Sequence, residues 1–431
     1  LRAYKTISIK LNSALIERIL QWAQQFEEVI WLDSNSHNQK HSNYNAILAV
    51  DALTVLKTDA HQAFEQLDEY QRLTNDWIFG YLSYDLKNDV ELLTSKNADG
   101  VAFPELYFFQ PKKIFLFSEN EVTLQYMNMV DDELESDWEE ILNIEIEKAV
   151  VNDDKVKIRL RTSKDSYYEK IEGILNHINR GDIYEANFCQ EFFAENTSIN
   201  PLKSFLHLNE ISRPPFATFL KLESNYALSA SPERYIKKVG SKLISQPIKG
   251  TAKRAATLEE DELLKQQLEQ DPKERSENIM ITDLVRNDLS KIAAKGSVTV
   301  EELCGIYTFD QVHQMISTIT CEVPASISPA TILKNTFPMG SMTGAPKVRA
   351  MQLIEEFEDA KRGIYSGAIG YISPENDFDF NVVIRSILYN ELKKYVSFSV
   401  GGAITALSTA EGEYAECLLK AKAMREVLEN A

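Results

Sequence analysis

Cysteine is scarce in this 431-residue chain, and the four present stand far apart. Cys189, Cys304, Cys321 and Cys417 form no Cys-x-x-Cys pair. That argues against a disulfide scaffold or a zinc site and fits reduced thiols in a cytoplasm. No apolar run is long enough to span a bilayer and no signal-peptide pattern occurs, so a cytoplasmic protein without a membrane partner is expected. Positive charge is also short. There are 46 Lys and Arg against 65 Asp and Glu, a net charge of -19. Such a field argues against nucleic acid or an anionic membrane as the main partner. An anionic substrate would need local positive charge or a metal to overcome it. No internal repeat is visible. Hydrophobic residues at 44% and charged residues at 26% are globular values, and the length suits one large domain or two ordinary ones.

The first 160 residues mix strand-like runs, such as Ala46-Ile47-Leu48-Ala49-Val50, with polar turns. The acidic stretch 131–147 carries Trp138, Ile141 and Leu142 at helical spacing, which predicts an amphipathic helix. Asn152-Asp153-Asp154-Lys155 reads as a linker. The expected division is therefore 1–160 and 161–431. The second part opens on a helix-start signal at Ser163, with Gly181 as the stop. Helices and strands then alternate irregularly, and segments 364–372 and 379–388 pair like a hairpin. The pattern is that of an α+β fold, not of a doubly wound parallel sheet.

Lys249 sits in Pro247-Ile248-Lys249-Gly250-Thr251, after a strand-like Lys242-Leu243-Ile244-Ser245. A lysine at a strand end among apolar neighbours is a candidate for a lowered pKa and a nucleophilic amine. An exposed turn lysine would look the same. Asp271-Pro272-Lys273-Glu274 opens a helix as cap, first turn and capping-box position. Glu277 follows Glu274 on the same face, and Ile279, Met280, Leu284 and Ile292 are the expected buried stripe. Ser408-Thr409-Ala410-Glu411 starts a second helix, with Glu413 and Glu416 again three apart. Two helices with paired glutamates suit a hard divalent cation, and equally suit solvated helix faces. Gly340-Ser341-Met342-Thr343-Gly344-Ala345-Pro346-Lys347 lacks the Walker spacing, which argues against a nucleotide. Arg385, within an apolar strand, can take a carboxylate through two parallel hydrogen bonds, and Tyr365 can add one. Backbone N–H groups at Gly401-Gly402 can donate to a carboxylate as well. His313 alone reads as a satisfied core histidine, and His37 and His41 as solvated.

Taken together, these segments resemble the chorismate-utilising enzymes of the anthranilate synthase component I type. The resemblance rests on Glu233 in Ser229-Ala230-Ser231-Pro232-Glu233-Arg234, on the Lys249 pentapeptide, and on blocks spread over 181–423. It implies a four-layer α/β/β/α sandwich. It makes Glu277 and Glu416 magnesium ligands, with Glu274 and Glu413 acting through water. Substrate carboxylates would meet Tyr365, Arg385, Gly401, Gly402 and Lys420, with Ser341 and Thr251 nearby, and His313 would polarise or orient. Lysine at position 249 is what the resemblance associates with amination of chorismate at carbon 4, where anthranilate synthases carry alanine.

On that resemblance Glu233 is a general acid and Lys249 a covalent nucleophile, with Mg2+ as cofactor. Water-adding members are expected to carry a lysine at position 185 and aminating members a glutamine; this chain has Glu185. The ammonia is implied to come from a glutaminase. No Gly-x-Cys-x-Gly elbow occurs here, so a separate glutaminase subunit is the expected partner. The alternatives are amination at carbon 2 with loss of pyruvate, or a non-catalytic metabolite sensor on the same scaffold. Leu32-Asp33-Ser34 resembles an element that forms an amino-acid pocket, where tryptophan can bind; an ordinary strand-to-turn segment fits as well.

Overall fold

The computed structural model describes residues 2–37, 41, 43–146 and 156–429. The linker read at 152–155 lies outside them. Every pairing between strands is antiparallel, and the strands join into one hydrogen-bonded network. Helices flank it, so the fold is α+β.

Alternation along the strands builds the layers. On Ala46–Thr58, Ile47 and Ala49 enter one core while Ala46, Leu48 and Val50 enter another. On Leu106–Phe117, Ile114 and Leu116 divide from Phe115 and Phe117 in the same way. The second core is closed by the helices Ser13–Ala23, Leu134–Asn143, Pro201–Ser212 and Ala410–Glu429.

The two parts of the sequence share the sheet. Strand Glu28–Asp33 pairs with Phe216–Leu222, and Ile78–Leu82 pairs with Ala368–Ile372. On its other side Ile78–Leu82 pairs with Leu106–Phe117, and Gly80 permits a close approach to that strand, because a Cβ would lie 2.0 Å from the Tyr107 carbonyl oxygen. Of the hairpin read over 364–372 and 379–388, Ala368–Ile372 does pair with Phe378–Val382, but Ser386–Asn390 is a separate strand that pairs with Asn225–Ser231 and Tyr395–Ile404.

Several helix signals act as written. Ser163 caps Lys164–Asn179 by accepting from the Ser166 N–H, and Gly181 follows at φ +81. Asp271 caps Pro272–Ser290 by accepting from Lys273 and Glu274. Two readings need correction. The start of the last helix is capped by Thr409, whose Oγ1 accepts from Gly412 N–H, while Ser408 accepts from Thr405. Ile279 is 45% exposed; the buried face of its helix carries Glu277, Asn278, Ile281, Thr282, Val285, Asp288 and Leu289. The face turned inward is half polar because it forms one wall of the site.

Candidate active site

Strand Ile248–Lys253 carries Lys249 into a cluster of carboxylates. Its Nζ donates to Glu185 Oε1 at 3.0 Å, with both side chains largely buried. Glu185 begins the strand Glu185–Ala194, which pairs with Gly344-Ala345 of the glycine-rich loop. Gly344 lets that loop lie on the strand, since a Cβ would fall 2.1 Å from the Glu185 carbonyl oxygen. Asn278 pins the Lys249 strand from the other side. Its Nδ2 donates to the Lys249 carbonyl at 3.2 Å and to the Met315 carbonyl at 3.0 Å.

The protonation of Lys249 differs from the sequence expectation. Burial pulls its pKa down, but the negative charges of Glu185, Glu277 and Glu233 outweigh it and hold the pKa above the ordinary lysine value. Glu233, 5% exposed between two strands, is pushed up to about 7 by burial, tempered by the nearby Ser341 hydroxyl and the Lys249 charge. Ser341 Oγ is itself buried without a geometrically sound hydrogen bond.

Glu277 is also raised to about 7, by burial first and then by Glu274 and Glu185, against Lys249 and Lys273. Its Oε1 is buried without a hydrogen-bond partner, with Lys273 Nζ 3.9 Å away. Burial raises Glu274, with a further push from Glu416 on the last helix. Burial likewise raises Glu413, also with a push from Glu416. Glu416 is exposed and ion-paired to Lys420 at 2.6 Å; burial would raise its pKa, but Lys420 brings it below the usual value. The two helices thus bring the four glutamates into one electrostatic neighbourhood, with Lys273 and Lys420 interspersed. Among the described residues no three His, Cys, Asp or Glu side chains stand close enough to hold a metal as they are. The orphaned Glu277 oxygen and the mutual repulsion of the carboxylates fit a hard cation nonetheless.

Arg385 lies at φ +51, a strained conformation for a side-chain-bearing residue. Burial lowers its pKa, and no hydrogen-bond or ion-pair partner is found for its guanidinium among the described residues. A half-buried cation without a counter-charge is prepared for an anion. Tyr365 Oη lies 3.5 Å from Cys189 Sγ. Gly401 is next to both: a Cβ there would meet Cys189 Sγ at 2.4 Å and Tyr365 Oη at 3.2 Å. Strand Tyr395–Ile404 pairs with Glu185–Ala194 along its length, but with Ser386–Asn390 only as far as Ser397. Beyond that its second edge has no partner strand among the described residues, which opens the backbone at Gly401 and Gly402. Lys420 Nζ donates to the Gly401 carbonyl at 3.1 Å. Thr251 is exposed two residues beyond Lys249.

His313 is not drawn into this cluster by any contact. Its Nε2 lies 3.0 Å from Asp261 Oδ1 and its Nδ1 2.9 Å from Thr308 Oγ1, and Arg254 pairs with the same aspartate. His37 is partly buried, against the Arg213 carbonyl and the Phe309 ring, and so is not simply solvated. Leu32, Asp33 and Ser34 line a separate cavity with Tyr44, Phe216 and Asp379. There burial raises Asp33 to about 6.

Four supporting residues escape sequence reasoning. Glu185 reads only as a departure, yet it holds Lys249. Asn278 reads as part of a helix block, yet it fixes the strand. Arg362 and Glu358 form a buried ion pair at 2.6 Å. Arg362 also donates to the Asn187 and Met342 carbonyls, at 2.6 and 2.7 Å, and Glu358 accepts from Cys189 N–H at 2.8 Å. The pair ties the glycine-rich loop to the strand that carries Glu185. A buried Arg–Glu spacing of four is the signal that could have found it.

The buried lysine, the elevated acid, the paired helix glutamates and the unpaired arginine stand in a chain that belongs to the chorismate binding enzyme family, which it matches over residues 19–426. Among individual relatives, it is 39% identical over 272 residues to aminodeoxychorismate synthase component 1 of Klebsiella aerogenes, covering 63% of this chain and 60% of that protein. A probable chloroplastic aminodeoxychorismate synthase of Oryza sativa is 40% identical over 64% of this chain and 31% of its own length. Component 1 from Salmonella typhimurium is 33% identical, covering 81% and 76%. The chain thus spans between about a third and three quarters of the relatives named here. In fold it resembles anthranilate synthase component I from Streptococcus pneumoniae, with a TM-score of 0.77, 23% identity and coverage of 90% and 95%. The isochorismate synthase MenF of Escherichia coli gives the same TM-score at 16% identity, with coverage of 99% and 95%.

Proposed function

We propose that the chain aminates chorismate with ammonia to give 4-amino-4-deoxychorismate, toward 4-aminobenzoate and folate. The observation that carries this reading is Lys249, whose amine faces Glu233, Glu185 and Glu277 instead of solvent. The names of the relatives point the same way.

Arg385, Tyr365 and the open backbone at Gly401-Gly402 hold the substrate carboxylates, with Lys420 and Thr251 at the rim and Ser341 buried beside Glu233. Glu233, protonated near neutral pH, gives its proton to the departing 4-hydroxyl. Lys249 bonds to ring carbon 2, which divides one difficult displacement into two easier ones. Ammonia then bonds to carbon 4 and Lys249 leaves. His313, through Thr308 and Asp261, positions the strand that lies beside Thr251. Glu277 and Glu416, with Glu274 and Glu413 behind them, would hold Mg2+, which would neutralise a substrate carboxylate in this acidic molecule. The relatives numbered component 1 support a glutaminase partner that delivers ammonia.

Product identification tests the reading. Chorismate, Mg2+ and an ammonium salt should give a non-aromatic amine that keeps its enolpyruvyl group, read by mass spectrometry and fluorescence. Anthranilate as the main product would defeat it.

A further inference from the structure

We propose that Glu185 is the proton acceptor that frees Lys249 for attack. The inference rests on the covalent-lysine reading above and goes beyond it to the step that reading leaves open. An ammonium has no lone pair, and the carboxylates around Lys249 favour its charged form: Glu185 from its strand, Glu277 from helix Pro272–Ser290, Glu233 between two strands, and Glu416 more distantly. The amine must therefore lose a proton inside the site.

Geometry gives that proton one destination. Glu185 Oε1 is the atom hydrogen-bonded to Nζ, at 3.0 Å, within range for direct transfer. Glu185 is 1% exposed, and its Oε2 is buried with no hydrogen-bond partner. A carboxylate placed only to anchor a lysine would have that second oxygen satisfied. Here Lys249 is the only group hydrogen-bonded to the carboxylate among the described residues. A glutamine in this place would anchor the amine as well but could not accept a proton.

The step balances. The proton moves from Nζ to Glu185, leaving a neutral amine and a neutral acid. The lone pair on Nζ bonds to carbon 2, the ring double bonds shift, and the carbon 4–oxygen bond breaks. Glu233 supplies the proton that makes the leaving group water. When ammonia bonds to carbon 4, the carbon 2–Nζ bond breaks and Lys249 retakes the proton from Glu185. The new ammonium reprotonates Glu233.

The test is single-turnover formation of the Lys249 adduct, followed by mass spectrometry of the protein with chorismate and Mg2+ but no ammonium. Glu185→Gln should slow adduct formation by about 100-fold or more, the usual range for a lost general base. Glu185→Ala should be equally slow and should be accelerated by added formate, which can enter the space and take the proton. A Gln variant within threefold of the wild type overturns the proposal, as does an Ala variant that formate does not rescue. Failure of the underlying reading looks different: wild type would then consume chorismate in the presence of ammonium while never showing an adduct.

Discussion

Burial sets Glu233 near neutrality, and this has a sign in both activity and stability. In the proposed general-acid role it must carry its proton, so turnover measured at a fixed concentration of free ammonia should fall as pH rises through about 7, which limits what the richer supply of free ammonia at alkaline pH can add. The same elevation means that the folded state binds the proton more tightly than the unfolded chain does. Its contribution to stability is present below the ordinary carboxylate value of 4.5 and is lost as pH rises through about 7. Glu233→Gln should therefore cost roughly 10²- to 10⁴-fold in turnover yet raise the melting temperature at pH 8, by a free energy on the order of 3 kcal/mol. Melting curves at pH 5 and pH 8 check it; a variant no more stable than wild type at pH 8 would show that the carboxylate is not strained there. Lys249→Ala removes the proposed nucleophile and, with it, the positive charge that tempers the raised pKa of Glu233. It should abolish the adduct and the carbon 4 amine, and it should lower the melting temperature, because Glu185 is left buried without its partner. Normal 4-amino-4-deoxychorismate production by this variant would exclude the covalent route.

Two helices, Pro272–Ser290 and Ala410–Glu429, carry the acidic pairs. Glu277→Gln or Glu416→Gln should lose most activity, because a cation there needs both charges. Glu277→Gln should also relieve a buried carboxylate in metal-free protein. Full activity of either variant, or of wild type in strong chelator, would end the magnesium assignment. These helices also mark how far the sequence could be read. Caps such as Asp271 and Ser163 are local, so their residues declare them. Lys249, Glu233 and the glutamate pairs were legible because each stands in a distinctive short block. The Lys249–Glu185 bond was not, because it joins residues 64 positions apart on strands that do not pair. The buried stripe beginning at Ile279 misled for a related reason: an apolar residue was assumed to face inward, whereas the helix turns Glu277, Asn278 and Asp288 toward the site. The elevated pKa of Lys249 depends on three carboxylates brought in by the fold, and no window of sequence contains them.

At the scale of the molecule, a net charge of -19 repels a dicarboxylate, so Arg385 and the lysines around the opening work against the overall field. Raising ionic strength should screen that repulsion, while the buried arginine is screened much less. The amine source is also a whole-molecule question. The purified chain should use ammonium salts at alkaline pH, where free ammonia is more abundant, and should give no product from glutamine. Glutamine-dependent turnover by this chain alone would overturn the need for a separate glutaminase.

The shared sheet also bears on the order in which the chain is assembled. Strand Glu28–Asp33 waits for Phe216–Leu222, and Ile78–Leu82 waits for Ala368–Ile372, so neither early strand has all its neighbours until long after it leaves the ribosome. Contacts of such sequence separation fold slowly and leave strand edges exposed in the meantime. The nascent first part is thus a natural client for chaperones. A fragment cut near residue 160 would lose the strands that complete its edges, and supplying the two halves as separate chains would turn a folding step into a second-order assembly.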